Sequence, residues 1–104
     1  MPKQKSHFRH TNSDALIEAF LILRNAGEWR RFLQDICTPK EAVDLAERWR
    51  VAQLLDEGRH SYRDIHKLTG VSLTTIGRVA RFLQQEPHHG YRLVLDRLKK
   101  KSGK

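Results

Sequence analysis

The 104-residue sequence predicts an all-α chain of about six helices, and three observations carry that expectation. Apolar residues recur at three- and four-residue spacing, no stretch alternates as a strand would, and caps or glycines punctuate each periodic run. A chain this short has room for one core, expected over residues 13 to 98. A flexible basic arm (1–12) and a disordered basic tail (99–104) flank it.

Taken in order, Asn12 or Ser13 can cap a first helix that is expected to stop near Gly27. Between Leu16 and Leu23 only Glu18 is charged, so nearly every side of this helix favours burial. A helix apolar all round needs partners on more than one face. So short a chain offers little interior, and a second copy is the natural supplier, which predicts a homodimer. Trp29, Phe32, Leu33 and Ile36 form one face of a short second helix. Thr38-Pro39-Lys40-Glu41 opens the third: Thr38 caps, Pro39 loses no useful N–H at the first position, and Glu41 reaches back. Its apolar stripe is Ala42, Leu45, Ala46, Trp49, Ala52 and Leu55, and Gly58 stops it. Ser61 and Asp64 make a capping box for a fourth helix of about two turns, ended by Gly70. Ser72 caps a fifth that runs to about Glu86, where Pro87 prevents continuation. Tyr91, Val94, Leu95 and Leu98 mark a sixth.

Charge is unevenly placed. The chain carries 20 Lys and Arg against 12 Asp and Glu, for a net charge of +8. Residues 1–58 hold nine of each sign and residues 59–104 hold eleven basic and three acidic side chains, so the whole excess lies in the second part. A one-sided basic field attracts polyanions and releases counterions on meeting phosphates. Lys99, Lys100, Lys101 and Lys104 could serve solubility alone, but the remainder of this part is still basic. Other classes of function find little support. Cys37 is the only cysteine, which excludes an intrachain disulfide, and no base partner for it is recognisable. His7 and His10, or His88 and His89, lack the cysteines or carboxylates that a zinc site needs. No phosphate-binding glycine motif or catalytic carboxylate pair is present, so no metal, cofactor or enzymatic activity is expected. The longest apolar stretch, Ala15 to Leu23, is interrupted and too short to span a bilayer, and the N-terminus lacks an apolar leader. A cytoplasmic protein with no membrane partner is expected.

The informative stretch runs from Ser61 to about Gln85. A short helix, a glycine turn and a second helix, with Ile65, Val71, Ile76 and Val79 where the two would touch, are the parts of a helix-turn-helix. His66 is a departure, since a small residue often sits there to permit close approach. On a wheel of about 100° per residue, Ile76, Ala80 and Leu83 of the second helix face inward, with Leu73 and Val79 flanking them. Thr74, Arg78, Arg81 and Gln85 lie opposite, with Thr75 and Gly77 at the edges. Ser72, Leu73, Thr74, Thr75, Gly77, Arg78 and Arg81 therefore form the set expected at the major groove of double-stranded DNA. Arg59, Tyr62, Arg63, His66 and Lys67 are expected where the first helix crosses the phosphate backbone. A helical dimeric adaptor that binds another protein, with only non-specific nucleic-acid affinity, is the rival from a different class.

The combination of Thr38-Pro39 with Glu41, Leu45, Arg48, Leu54-Leu55, Gly58, Ser61, Arg63, Thr75-Ile76 and Arg78 resembles the tryptophan repressor family. Cys37-Thr38, Leu45-Ala46-Glu47-Arg48, Leu55-Asp56-Glu57-Gly58 and Gly90-Tyr91-Arg92-Leu93-Val94-Leu95-Asp96-Arg97-Leu98 extend the likeness to the bacterial proteins related to that repressor. The resemblance implies an intertwined helical dimer that binds operator DNA as a transcriptional repressor. It also implies an effector site at Thr38, Arg48 and Arg78, between the long central helix and the recognition helix. Where the family leaves space for the indole of its co-repressor, this chain has Val79 and Phe82. Overfilling a tight wall costs about 1–3 kcal/mol, so L-tryptophan is not expected to bind, while an unidentified small-molecule effector stays open.

Overall fold

The computed structural model describes residues 11–103. Its order is α1 (Asn12–Leu21), α2 (Ala26–Ile36), α3 (Pro39–Glu57), α4 (Tyr62–Thr69), α5 (Leu73–Gln84) and α6 (Gly90–Lys101), with no strand among the described residues. The stretch from 13 to 98, which the sequence suggests as one domain, forms two compact units that meet in the chain at Pro39 and Lys40.

In the first unit, Thr11 caps α1: its hydroxyl accepts from the Asp14 N–H, and the Asp14 carboxylate accepts from the Thr11 N–H. The helix thus begins one residue earlier than an Asn12 cap would place it and two earlier than a Ser13 cap, within what reads as the arm. The rest of the arm, His7 and His10 included, lies outside the described residues. The expected stop near Gly27 is displaced. α1 ends at Leu21, and Gly27 lies inside α2, because Asn25 caps a new helix. Asn25 Oδ1 accepts from the Glu28 N–H at 3.0 Å while Glu28 Oε1 accepts from the Arg24 N–H at 2.8 Å. Two side-chain bonds to backbone outweigh a glycine that could have served as a terminator. Phe20 stacks on Trp29 with centroids 4.9 Å apart and meets Phe32 edge-on at 5.9 Å. No residue of α1 or α2 is buried, and Leu16, Ile17, Leu21, Ile22 and Ile36 stand exposed.

From Lys40 onward the chain has a core. Val51, Ala52, Leu54, Ile65, Val71, Ile76 and Val79 pack together, with Trp49, Leu55 and Tyr91 against them. Each fully buried aliphatic side chain there contributes about 1.5–3 kcal/mol relative to exposure. α3 differs from the expected stripe. Of those six positions only Ala52 is buried, Trp49 and Leu55 are half-covered, and Leu45 is exposed, whereas Val51 and Leu54 are buried. Its apolar residues are spread around the helix, and the chain itself covers only the face of its second half. α6 continues past Leu98 to Lys101, through the start of the expected tail. Asp56 anchors it, receiving Arg92 Nη1 at 2.8 Å and Lys99 Nζ at 2.8 Å. Those two hydrogen-bonded cations hold the Asp56 carboxyl below the usual carboxylate range.

Candidate nucleic-acid interface

The wedge expected between Ser61 and Gln85 is present as α4, a turn at Gly70, and α5. Ser61 Oγ accepts from the Asp64 N–H at 3.0 Å, and Asp64 Oδ2 accepts from the Ser61 N–H at 3.2 Å, closing the capping box. The Ser61 backbone N–H, then its hydroxyl, hold the Asp64 carboxyl below the usual range. Gly70 has φ 77°, a left-handed conformation that favours glycine, and its N–H donates to His66 O at 2.8 Å. Side chains then brace the turn. Thr69 Oγ1 donates to Ile65 O at 2.7 Å and accepts from the Val71 N–H at 3.0 Å. His66 Nδ1 donates to Val71 O at 2.7 Å. The large residue at the small-residue position is accommodated because its ring bonds along the turn and remains exposed. Ile65, Ile76 and Val79 are buried where the helices meet, as their spacing predicts.

On the outer side, Ser72 caps α5 by accepting from the Thr75 N–H at 3.1 Å. Thr74 and Arg78 are exposed, and Thr75 and Gly77 are half-covered. A Cβ built on Gly77 meets nothing within 4 Å, so the chain leaves the space beside it open. Leu73, set by the wheel beside the inner face and named also among the groove residues, is 50% exposed. Tyr62, Arg63, His66 and Lys67 are all exposed along α4, with Arg59 just before it. Among the described residues Arg63, Lys67 and Arg78 form no ion pair, whereas Arg59 meets Glu57 at 3.4 Å and Arg81 meets Glu86 at 3.6 Å. Such exposed pairs are weak and leave both guanidinium groups able to exchange partners.

Phe82 has a role that the sequence reasoning missed. The Arg78 guanidinium lies over its ring at 4.4 Å and that of Arg81 at 5.3 Å, and His88 stacks on it at 6.2 Å. Cation–π contact holds the two arginines that a free side chain would leave to wander. The four-residue spacing of Arg78 and Phe82 is the signal that could have shown the first of these contacts. Beside this cluster is an open cavity of about 500 Å³ whose lining includes Arg48 and Trp49 of α3, Val79 of α5 and Tyr91 of α6. Trp49 and Tyr91 stack there with centroids 6.4 Å apart. The structure thus brings Arg48 and Arg78 to one cavity. Thr38, named with them, is exposed just before α3 in the first unit.

The sequence profile of the family described as Trp repressor protein matches residues 11–99. This chain belongs to that family. It is 38% identical over 96 residues to the uncharacterised protein YerC of Bacillus subtilis (strain 168), covering 92% of this chain and 90% of that protein. A solved structure of a TrpR-like protein from Eubacterium eligens ATCC 27750 superposes with a TM-score of 0.78 at 38% identity, covering 88% of this chain and 94% of that one. Membership supports a DNA-binding regulator, since the family is one of regulators. Among the described residues no helix is long and apolar enough to cross a membrane, and no group of three or more His, Cys, Asp or Glu could hold a metal ion.

Proposed function

We propose that this protein is a sequence-specific transcriptional repressor that binds a near-palindromic operator as a homodimer. The observation that carries the reading is the braced α4–α5 wedge, which presents exposed Thr74 and Arg78 above an exposed row of Arg63, His66 and Lys67. Two such wedges related by a two-fold axis would enter successive major grooves about 34 Å apart. The unburied apolar side chains of α1, together with Val43, Leu93, Val94 and Leu98, support self-association. A chain that leaves so many exposed fits a partner that covers them.

Selection of bound fragments from a random DNA pool should return a palindromic consensus. On that site, Arg78→Ala and Thr75→Ala are expected to lower discrimination between sequences, and Arg63→Ala to weaken binding to all sequences and reduce the salt slope by about one. If all three variants leave operator affinity unchanged, the assignment of these residues fails. Binding that vanishes under competitor DNA favours a helical adaptor for another protein instead.

The cavity lined by Arg48 and Arg78 supports an effector other than L-tryptophan. Val79 is 1% exposed, and Phe82 already carries the Arg78 guanidinium. Calorimetric titration with L-tryptophan is expected to give no binding heat, and micromolar affinity would overturn that expectation.

A further inference from the structure

We propose that His66 is a DNA-phosphate ligand whose docking takes up a proton, so that operator affinity falls as pH rises through neutrality. The inference rests on the DNA-binding reading and adds to it a dependence that an arginine or lysine would not have.

It follows from which atoms can donate. Val71 O is a carbonyl oxygen and can only accept, so at 2.7 Å from it His66 Nδ1 must carry the hydrogen. A neutral imidazole has one N–H. With that hydrogen committed to the turn, Nε2 is a bare acceptor and meets a phosphate oxygen lone pair to lone pair. Only the imidazolium can brace the turn through Nδ1 and donate to DNA through Nε2. Histidine is the side chain whose charge changes most readily near neutral pH.

The surroundings leave the phosphate as the anion that answers the new charge. On α4, Arg63 lies three residues before His66 and Lys67 one after it, and both are exposed. Asp64 is engaged in the capping box with Ser61. Before α4, Glu57 is paired with Arg59 at 3.4 Å and His60 at 3.1 Å. The turn and the start of α5, from Gly70 to Gly77, contain no ionisable side chain, and the first beyond them, Arg78, is held over Phe82. Among the described residues no carboxylate bonds to His66. An unmet donor beside two cations is a place for a DNA oxygen to sit.

The test uses the full chain and the fragment selected from the random pool, at constant ionic strength from about pH 6 to about pH 8. Wild-type Kd should rise with a slope approaching one proton, about tenfold per pH unit where it is steepest. His66→Asn places an amide N–H where Nδ1 was and so keeps the bond to Val71 O, but has no second nitrogen. It is expected to bind more weakly at low pH and to lose that slope, leaving only the background of the other histidines. His66→Lys should bind with the same shallow background at every pH. Calorimetry of the wild type in buffers of different ionisation enthalpy should report net proton uptake on binding, whether or not either variant folds. Equal slopes for wild type and a folded His66→Asn, or specific binding without proton uptake, overturn the proposal while leaving the DNA-binding reading intact. Absence of sequence-specific binding at every pH overturns both.

Discussion

Ile65 and Ile76, one on each helix of the wedge, are fully buried, whereas Leu21 and Ile22 at the end of α1 are each 76% exposed. Both regions are helical and both are well capped, by Ser61 and Ser72 in one and by Thr11 and Asn25 in the other. They part company in how their apolar faces are covered. α4 and α5 close on a core within the same unit, while α1 and α2 have an aromatic trio and no buried residue. Local signals suffice to start a helix. Burial decides whether it is finished by its own chain or needs another surface.

The sharpest way to break this contrast is to charge the exposed end of α1. In the proposed dimer, Leu21→Glu with Ile22→Glu removes burial worth roughly 3–6 kcal/mol per protomer. Sedimentation equilibrium should then show monomer at concentrations where the wild type is dimeric. An unchanged association constant would mean that no copy covers this face. Next in size is Ile76→Ala in the wedge, expected to cost about 2–5 kcal/mol by leaving a cavity. Denaturant unfolding reads this directly, and a loss under about 1 kcal/mol would contradict the dense packing around Ile76.

Much of the wedge was legible because its chemistry is local. Ser61 with Asp64, Gly70, and Ser72 before Thr75 act within four residues of one another, and the backbone bonds they form are those their spacing predicts. The features that were not legible depended on competition or on distance. Gly27 reads as a stop until Asn25 and Glu28 are seen to bond the backbone on either side of it. The stripe on α3 could not show that Val51 and Leu54, not Leu45, would be covered, since that depends on where α4 and α5 pack. His66 was placed on the DNA side of α4 by position alone. Its bond to Val71 O needed the turn to be built.

Smaller effects refine the comparison. Ser61→Ala removes one half of the α4 capping box and should cost about 1 kcal/mol of unfolding free energy, with the loss confined to this unit. Asp56→Asn tests the anchor of α6 through pH. The folded Asp56 carboxyl is held below the ordinary value of 3.8 by Arg92 and Lys99, so its contribution is fully present above that value and is lost as pH falls through the lowered one. The stability gap between wild type and Asp56→Asn should therefore be constant at neutral pH and close on acidification below 3.8. A gap that instead closes on going alkaline would remove the ion-pair explanation.

The stacked rings also divide the two tryptophans of the chain between its two regions: Trp29 lies on Phe20 and Trp49 beside Tyr91. Each half thus carries its own intrinsic fluorophore. With the other indole replaced by phenylalanine, emission from the one that remains should report whether the two halves melt together or one after the other, with no dye attached.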